Sequence, residues 1–239
     1  MTLQHTEVAV VGGGMVGGAL ALGLAQQGFE VTVIEQAAPP AYDPASKPDV
    51  RISAISAASV DLLRGLGVWE AVQAMRAHPY SRLETWEWEN AHVAFDAAEL
   101  KLPRLGYMVE NNVLQRALWQ ALEAHPKVTL RVPASLKALH PHERGYLLTL
   151  DSGDELAVKL VIGADGANSQ VRQMAGIGVH AWQYEQSCML ITAGARMRRA
   201  KAPGSTLRRT ARMPFYRCLI TGRRWCGTTN RRAFVSCRG

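Results

Sequence analysis

Val8-Ala9-Val10-Val11 is a short apolar run rich in β-branched residues, the pattern of a strand buried on both faces. It leads into Gly12-Gly13-Gly14-Met15-Val16-Gly17-Gly18, and Ala19 to Ala25 then predicts a helix that Gly28-Phe29 ends. Glu30-Val31-Thr32-Val33-Ile34 predicts a second strand closing on Glu35. Ala37 to Asp49 contains four prolines and no periodicity and reads as a loop, and Ser59 to Leu66 returns to helical spacing. Arg82 to Trp88 alternates Leu83, Thr85 and Glu87 against Glu84, Trp86 and Trp88, a strand pattern of period two that Val93 to Asp96 would join in a sheet. Trp86 and Trp88 then share a face, as packing residues or as the lining of an aromatic pocket. Val113 to Leu122 predicts a helix with apolar residues at 113, 114, 117, 118, 121 and 122. Tyr146–Leu150 and Leu156–Ile162, joined by Asp151-Ser152-Gly153-Asp154, predict a hairpin, and His140 and His142 flank Pro141 in an expected turn.

Gly12, Gly14 and Gly17 fill GxGxxG between a strand and a helix. In that pattern the first glycine permits a tight turn, the second lets a pyrophosphate approach the backbone, and the third lets helix and strand pack closely. The helix N-terminus would offer unpaired N–H groups and a positive dipole end to phosphate. Glu35, at the end of the next strand, stands at the distance of an acid that binds ribose hydroxyls. The fingerprint points to a dinucleotide and leaves NAD and FAD open. Arg51 leaves the long loop where it could reach a pyrophosphate.

A second motif follows the hairpin: Gly163-Ala164-Asp165-Gly166, then a helix opened by Asn168 or Ser169 and containing Arg172. Together with the first fingerprint, this G-A-D-G-x-x-S-x-x-R segment resembles the flavoprotein aromatic hydroxylases, the p-hydroxybenzoate hydroxylase-like family. Asp49-Val50-Arg51-Ile52-Ser53-Ala54-Ile55, Glu84-Thr85-Trp86-Glu87-Trp88 and Gly106-Tyr107-Met108-Val109-Glu110-Asn111 are similar to its ubiquinone-biosynthesis branch. The resemblance implies an α/β, Rossmann-like FAD-binding domain (residues 1–78 and 101–179) with part of a β-sheet substrate domain (79–100 and 180–191). It implies an FAD-dependent monooxygenase that hydroxylates a polyprenylated benzoquinol with O2 through a flavin hydroperoxide, using NAD(P)H or another electron donor. The expected cofactor-binding residues are Gly12, Gly13, Gly14, Met15, Val16, Gly17, Glu35, Arg51, Gln115 and Asp165. Of these, Arg51 and Gln115 would lie against FAD and Asp165 near its ribose-pyrophosphate. No catalytic residue is assigned, because the cofactor carries the chemistry. The resemblance also implies a ubiquinone-biosynthesis complex and a cytoplasmic protein at the inner face of the membrane.

Composition adds one surprise. Of 239 residues 48% are hydrophobic and 20% charged, which excludes disordered and collagen-like classes. No apolar stretch is long enough for a membrane span, and the glycine-broken start is unlike a signal peptide. The seven histidines lack metal-ligand spacing and the four cysteines lack a regular pattern, so no metal site is expected. The net charge of +7, however, is unevenly spread: residues 1–191 hold 14 basic and 20 acidic residues, and 192–239 hold 13 basic and none acidic. The family pattern also fades near Ile191, and its Gly-Asp-Ala-Ala-His segment is missing. One codon choice for residues 215–232, read from one base earlier, encodes Leu-Pro-Leu-Phe-Asp-Asn-Trp-Ala-Ser-Leu-Val-Trp-Tyr, an apolar, strand-like segment. Residues 192–239 are therefore expected to be an out-of-frame tail without regular structure or specific nucleic-acid binding, on a chain that is truncated relative to the family. The competing readings are an inactive FAD-binding remnant, a nucleotide-dependent reductase and a basic-tail nucleic-acid binder.

Overall fold

The computed structural model describes residues 3–87, 91–183, 186–194, 204–207, 211–217 and 222–230, with side chains described for 3–84 and 93–183. Strand β1 (Gln4–Val11) passes through the glycine turn into α1 (Met15–Gln26) and β2 (Val31–Ile34). After the proline-rich loop come β3 (Ile52–Ser56), α2 (Ala57–Gly65), α3 (Trp69–Met75), β4 (Ala77–Tyr80), β5 (Arg82–Glu87) and β6 (Ala91–Asp96). Next are β7 (Gly106–Glu110), α4 (Asn111–Ala124), β8 (Val128–Arg131), β9 (Leu136–His142), β10 (Gly145–Leu150), β11 (Glu155–Gly163) and α5 (Gln170–Met174). The last strands are β12 (Gln186–Gly194), β13 (Gly204–Leu207), β14 (Ala211–Arg217) and β15 (Gly222–Asn230).

The chain divides into two units. The first takes Met1–Asp43, Leu63–Val72 and Asn112–His180; the second takes Pro44–Leu62, Gln73–Asn111 and the described residues from Ala181 on. In the first unit a six-stranded sheet runs β8-β2-β1-β11-β10-β9. β2 and the second half of β1, buried on both faces at the centre of the parallel strands, read as near-continuous apolar runs. Val8, Ala9, Val10 and Val11 pair with Val31 to Ile34 on one side and with Leu160 to Gly163 on the other. Below them Ala9, Val11, Ile34, Leu136, Leu148, Leu156 and Val171 form one core cluster. At Gly18 of α1 an added Cβ would come 3.5 Å from Leu118, an ordinary van der Waals contact, so α4 lies against α1 there.

The expected hairpin is present as β10–β11, with Tyr146 opposite Val158 and Thr149 opposite Glu155. The region around Pro141 differs from expectation. His140, Pro141 and His142 belong to β9, and the turn lies beyond them, where Glu143 has φ 41°. β9 is an edge strand, so the missing proline N–H costs no ladder bond. Trp119 is also more central than its omission from the apolar stripe suggested: it is only 1% exposed, because α4 is covered on a wider face than two helical rows.

In the second unit, β3-β7-β4 form a three-stranded sheet in which Ile52 faces Glu110 and Ser56 faces Gly106. Two segments that carried the family resemblance are thus hydrogen-bonded neighbours. Gly106 is required there, since a Cβ would lie 2.1 Å from the Ile55 carbonyl oxygen. The second sheet runs β12-β15-β14-β13-β5-β6. The tail that the sequence suggested would lack regular structure contributes β13, β14 and β15 to it. A ladder uses main-chain donors and acceptors, so side-chain composition does not forbid it, and the edge of β5 offers a template for β13. Trp88 and the side chains of Trp86 and of Cys188, Cys218, Cys226 and Cys237 lie outside the described residues. Among the described residues no helix is long and apolar enough to cross a membrane, and no cluster could hold a metal ion.

A buried ion pair organises the loop before β3. Arg76 Nη1 donates to Glu110 Oε1 at 3.0 Å, with both side chains 3% exposed. Arg76 Nη2 also donates to the Pro44 and Ser46 carbonyls, and Glu110 Oε2 accepts from the Asp49 N–H at 2.7 Å. Removing one partner leaves the other charge buried. Glu110→Ala should therefore lower stability by about 3–5 kcal/mol in urea unfolding; an unchanged midpoint would contradict this placement.

Candidate functional site

The two glycine turns meet at the carboxyl ends of β1 and β11. Gly12 has φ +103°, a conformation glycine adopts readily, and a Cβ on it would sit 2.4 Å from the Ala164 carbonyl oxygen. That approach lets the Ala164 N–H donate to the Val11 carbonyl at 2.7 Å. Gly17 serves packing in the other direction, since a Cβ there would lie 1.9 Å from the Gly12 oxygen. Gly14 is different again: nothing lies within 4 Å of where its Cβ would be. The three positions of the fingerprint thus have three distinct physical grounds.

Beside these turns is a cleft of about 520 Å³, lined among others by Gly12, Gly14, Glu35, Ala134, Asp165 and Gly166. It lies outside the carboxyl ends of parallel strands, where open α/β sheets bind ligands. The first turn of α1 carries no acidic residue and no side chain caps it, so its N–H groups and positive end remain available to an anion.

Each expected residue has a definite place. Gly12, Gly14, Glu35 and Asp165 line the cleft, and Gly13 and Gly17 are buried behind it. Met15 and Val16 open α1, with Val16 75% exposed. Glu35 Oε2 accepts from the Gly13 N–H at 2.5 Å, and Oε1 from the Gln36 and Ala37 N–H groups at 2.8 and 3.3 Å. Gln115, on the second turn of α4, donates from Nε2 to the Gly13 carbonyl at 3.3 Å. Arg51 belongs to the second unit; its side chain is exposed and its carbonyl accepts from the Asn111 N–H at 2.9 Å.

Asp165 is turned onto the start of α5. Its carboxylate accepts from Ser169 Oγ at 2.5 Å and from the Gln170 and Val171 N–H groups at 2.6 and 3.2 Å. Ser169, one of the two expected helix openers, is the N-cap and accepts from the Arg172 N–H at 3.0 Å. Partial burial alone would raise the Asp165 carboxyl, but the Ser169 hydroxyl and the surrounding backbone N–H groups outweigh it and hold it below its ordinary value.

Sequence reasoning missed Ala134, Ser135 and Leu136, which line the cleft. The Ala134 N–H donates to the Glu35 carbonyl at 2.9 Å, because β8 lies beside β2 and ends at the same level. The signal available was Pro133 ending a short strand pattern, which gives position but no chemistry.

A family model described as "FAD binding domain" matches residues 5–226. The chain belongs to this FAD-binding family. It is 78% identical over 192 residues to 3-demethoxyubiquinol 3-hydroxylase of Escherichia coli (strain K12), covering 80% of this chain and 49% of that protein. It is 37% identical over 187 residues to the ubiquinone hydroxylase UbiL of Rhodospirillum rubrum, covering 78% of this chain and 43% of the relative. The chain thus spans about half the length of the curated relatives it matches. Among solved structures, PqsL of Pseudomonas aeruginosa, described as a probable FAD-dependent monooxygenase, superposes with a TM-score of 0.81 at 20% identity, over 98% of this chain and 63% of that one. That likeness shows the shared fold.

In this flavin-binding fold Asp165 acts as a cap whose value depends on pH. Its folded carboxyl lies below the unfolded value of about 3.9, so its stabilisation is present above that value and is lost as pH falls through the folded one. Melting temperatures of the unmutated chain and Asp165→Asn should differ at neutral pH and begin to converge only as pH falls below about 4. A constant difference across that range would argue against the charged cap.

Proposed function

We propose that this chain forms the FAD-binding part of a monooxygenase that hydroxylates a polyprenylated benzoquinol in ubiquinone biosynthesis. The observation that carries the reading is the open cleft at Gly14, between two glycine turns in direct contact, in a chain 78% identical to a demethoxyubiquinol hydroxylase. O2 and a reduced nicotinamide or comparable electron donor complete the proposed reaction. A prenylated quinol resides in the bilayer, so the proposal also places the protein peripherally at the cytoplasmic membrane surface.

The residues fit the ADP half of FAD. Gly14 leaves room for a pyrophosphate at the uncapped start of α1, where Met15 and Val16 add backbone N–H groups. Glu35, fixed by three backbone N–H groups, keeps its remaining acceptor positions for ribose hydroxyls. Bound FAD would supply the redox chemistry of O2 activation. The chain's own part is to bind and orient that group. Asp165 shapes the wall of the cleft through the turn it caps, and Arg51 is proposed as a further cofactor-binding residue.

A second reading is a chain that holds FAD without turnover. Incubation with FAD, NADH and a demethoxyubiquinol analogue separates the two: the first yields a product one oxygen heavier, the second retains flavin and yields none. Gly14→Val should leave the chain folded, with the melting temperature lowered only by the poorer helix cap, and weaken FAD binding at least about tenfold, about 1.4 kcal/mol. Undiminished flavin affinity in that variant would remove the pyrophosphate from this turn.

A further inference from the structure

Both backbone groups of Gly13 are held by side chains from distant parts of the first unit. Its N–H donates to Glu35 Oε2 at 2.5 Å, and its carbonyl accepts from Gln115 Nε2 at 3.3 Å. Gly13 is buried, and a Cβ on it would meet the Trp119 ring at 2.7 Å. Gln115 and Trp119 stand four residues apart on α4, on the helix face that meets the turn. The amide and the indole therefore brace one residue from one element.

The peptide plane transmits that constraint. In a trans peptide the carbonyl of Gly13 and the N–H of Gly14 point in opposite directions. Holding the carbonyl toward α4 turns the Gly14 N–H away from it, and Gly14 lines the open cleft. Without Gln115 the peptide is free to rotate, because its flanking residues are glycines with few steric barriers. The Gly13 N–H is already committed to Glu35, so Gly13 is the clamped residue and Gly14 the donor.

Building on the FAD reading, we infer that Gln115 is a positioning residue that acts through the Gly13 carbonyl to aim the Gly14 N–H at the pyrophosphate, without touching the cofactor itself. This assigns it a different role from the direct flavin contact implied by family resemblance.

The test measures the affinities of FAD and ADP by calorimetry, and of adenosine by ligand-observed NMR, for the unmutated chain, Gln115→Met and Gln115→Glu. Gln115→Met keeps the side-chain length and removes the donor; it should weaken FAD and ADP equally, by about three- to tenfold, and leave adenosine unchanged. Gln115→Glu should weaken both further, because an ionised carboxylate opposes the carbonyl and the diphosphate. It also stands in if the methionine variant does not fold. Loss of FAD affinity with ADP unaffected would mean that Gln115 contacts the flavin half directly, and would overturn the positioning role. Equal loss for adenosine would reduce Gln115 to a structural residue. Unmutated binding with both variants indistinguishable from it would sink this inference alone, whereas no binding of FAD or ADP by the unmutated chain would sink the FAD reading as well.

Discussion

The Ala164 N–H donates to the Val11 carbonyl at 2.7 Å, and that bond joins two turns far apart in the chain where β1 and β11 end side by side. It exists only because Gly12 has no side chain: any Cβ would collide with the Ala164 carbonyl. It continues the parallel ladder that sets β1 between β2 and β11. The cleft depends on it, since the two turns form adjoining walls and α1 departs from one of them. Gly17 then brings α1 against the turn. Gly13 leaves room for the Trp119 ring, which a Cβ would meet at 2.7 Å, so α4 meets the back of the phosphate turn with Gln115 and Trp119.

The elements that were legible in the sequence are those whose signal is local. β1, α1 and β2 follow from an apolar run, a glycine turn and a second apolar run; the β10–β11 hairpin follows from two strands around Asp151-Ser152-Gly153-Asp154. Helix α4 showed its apolar rows, but the burial of Trp119 depends on the glycine turn that its ring meets. Pro141 misled because a proline reads as a break, and only its place on an edge strand makes it harmless. The pairing of β3 with β7 joins segments that no short-range pattern connects.

The site divides along the same line. Gly12, Gly14, Gly17 and Glu35 were readable because their spacing encodes a known geometry. Asp165 was readable as a member of a motif, although its carboxylate proves to cap α5 rather than to face the cleft unpartnered. Ala134, Ser135 and Leu136 contribute position through the end of β8 and could not be singled out by residue type. In the second unit, the Arg76–Glu110 pair shows how a buried charge orders a proline-rich loop that has no periodicity of its own. Charge composition described the tail as a separate segment, yet backbone pairing draws parts of it into a sheet with β5.

The central claim is that the paired glycine turns build an FAD site. The most direct measurement is a titration of the unmutated chain with FAD, followed by quenching of flavin fluorescence and by displacement with ADP. The account predicts saturable binding of one FAD per chain, with ADP competing for the same site. A folded chain that quenches no flavin, or whose bound flavin ADP does not displace, would contradict it.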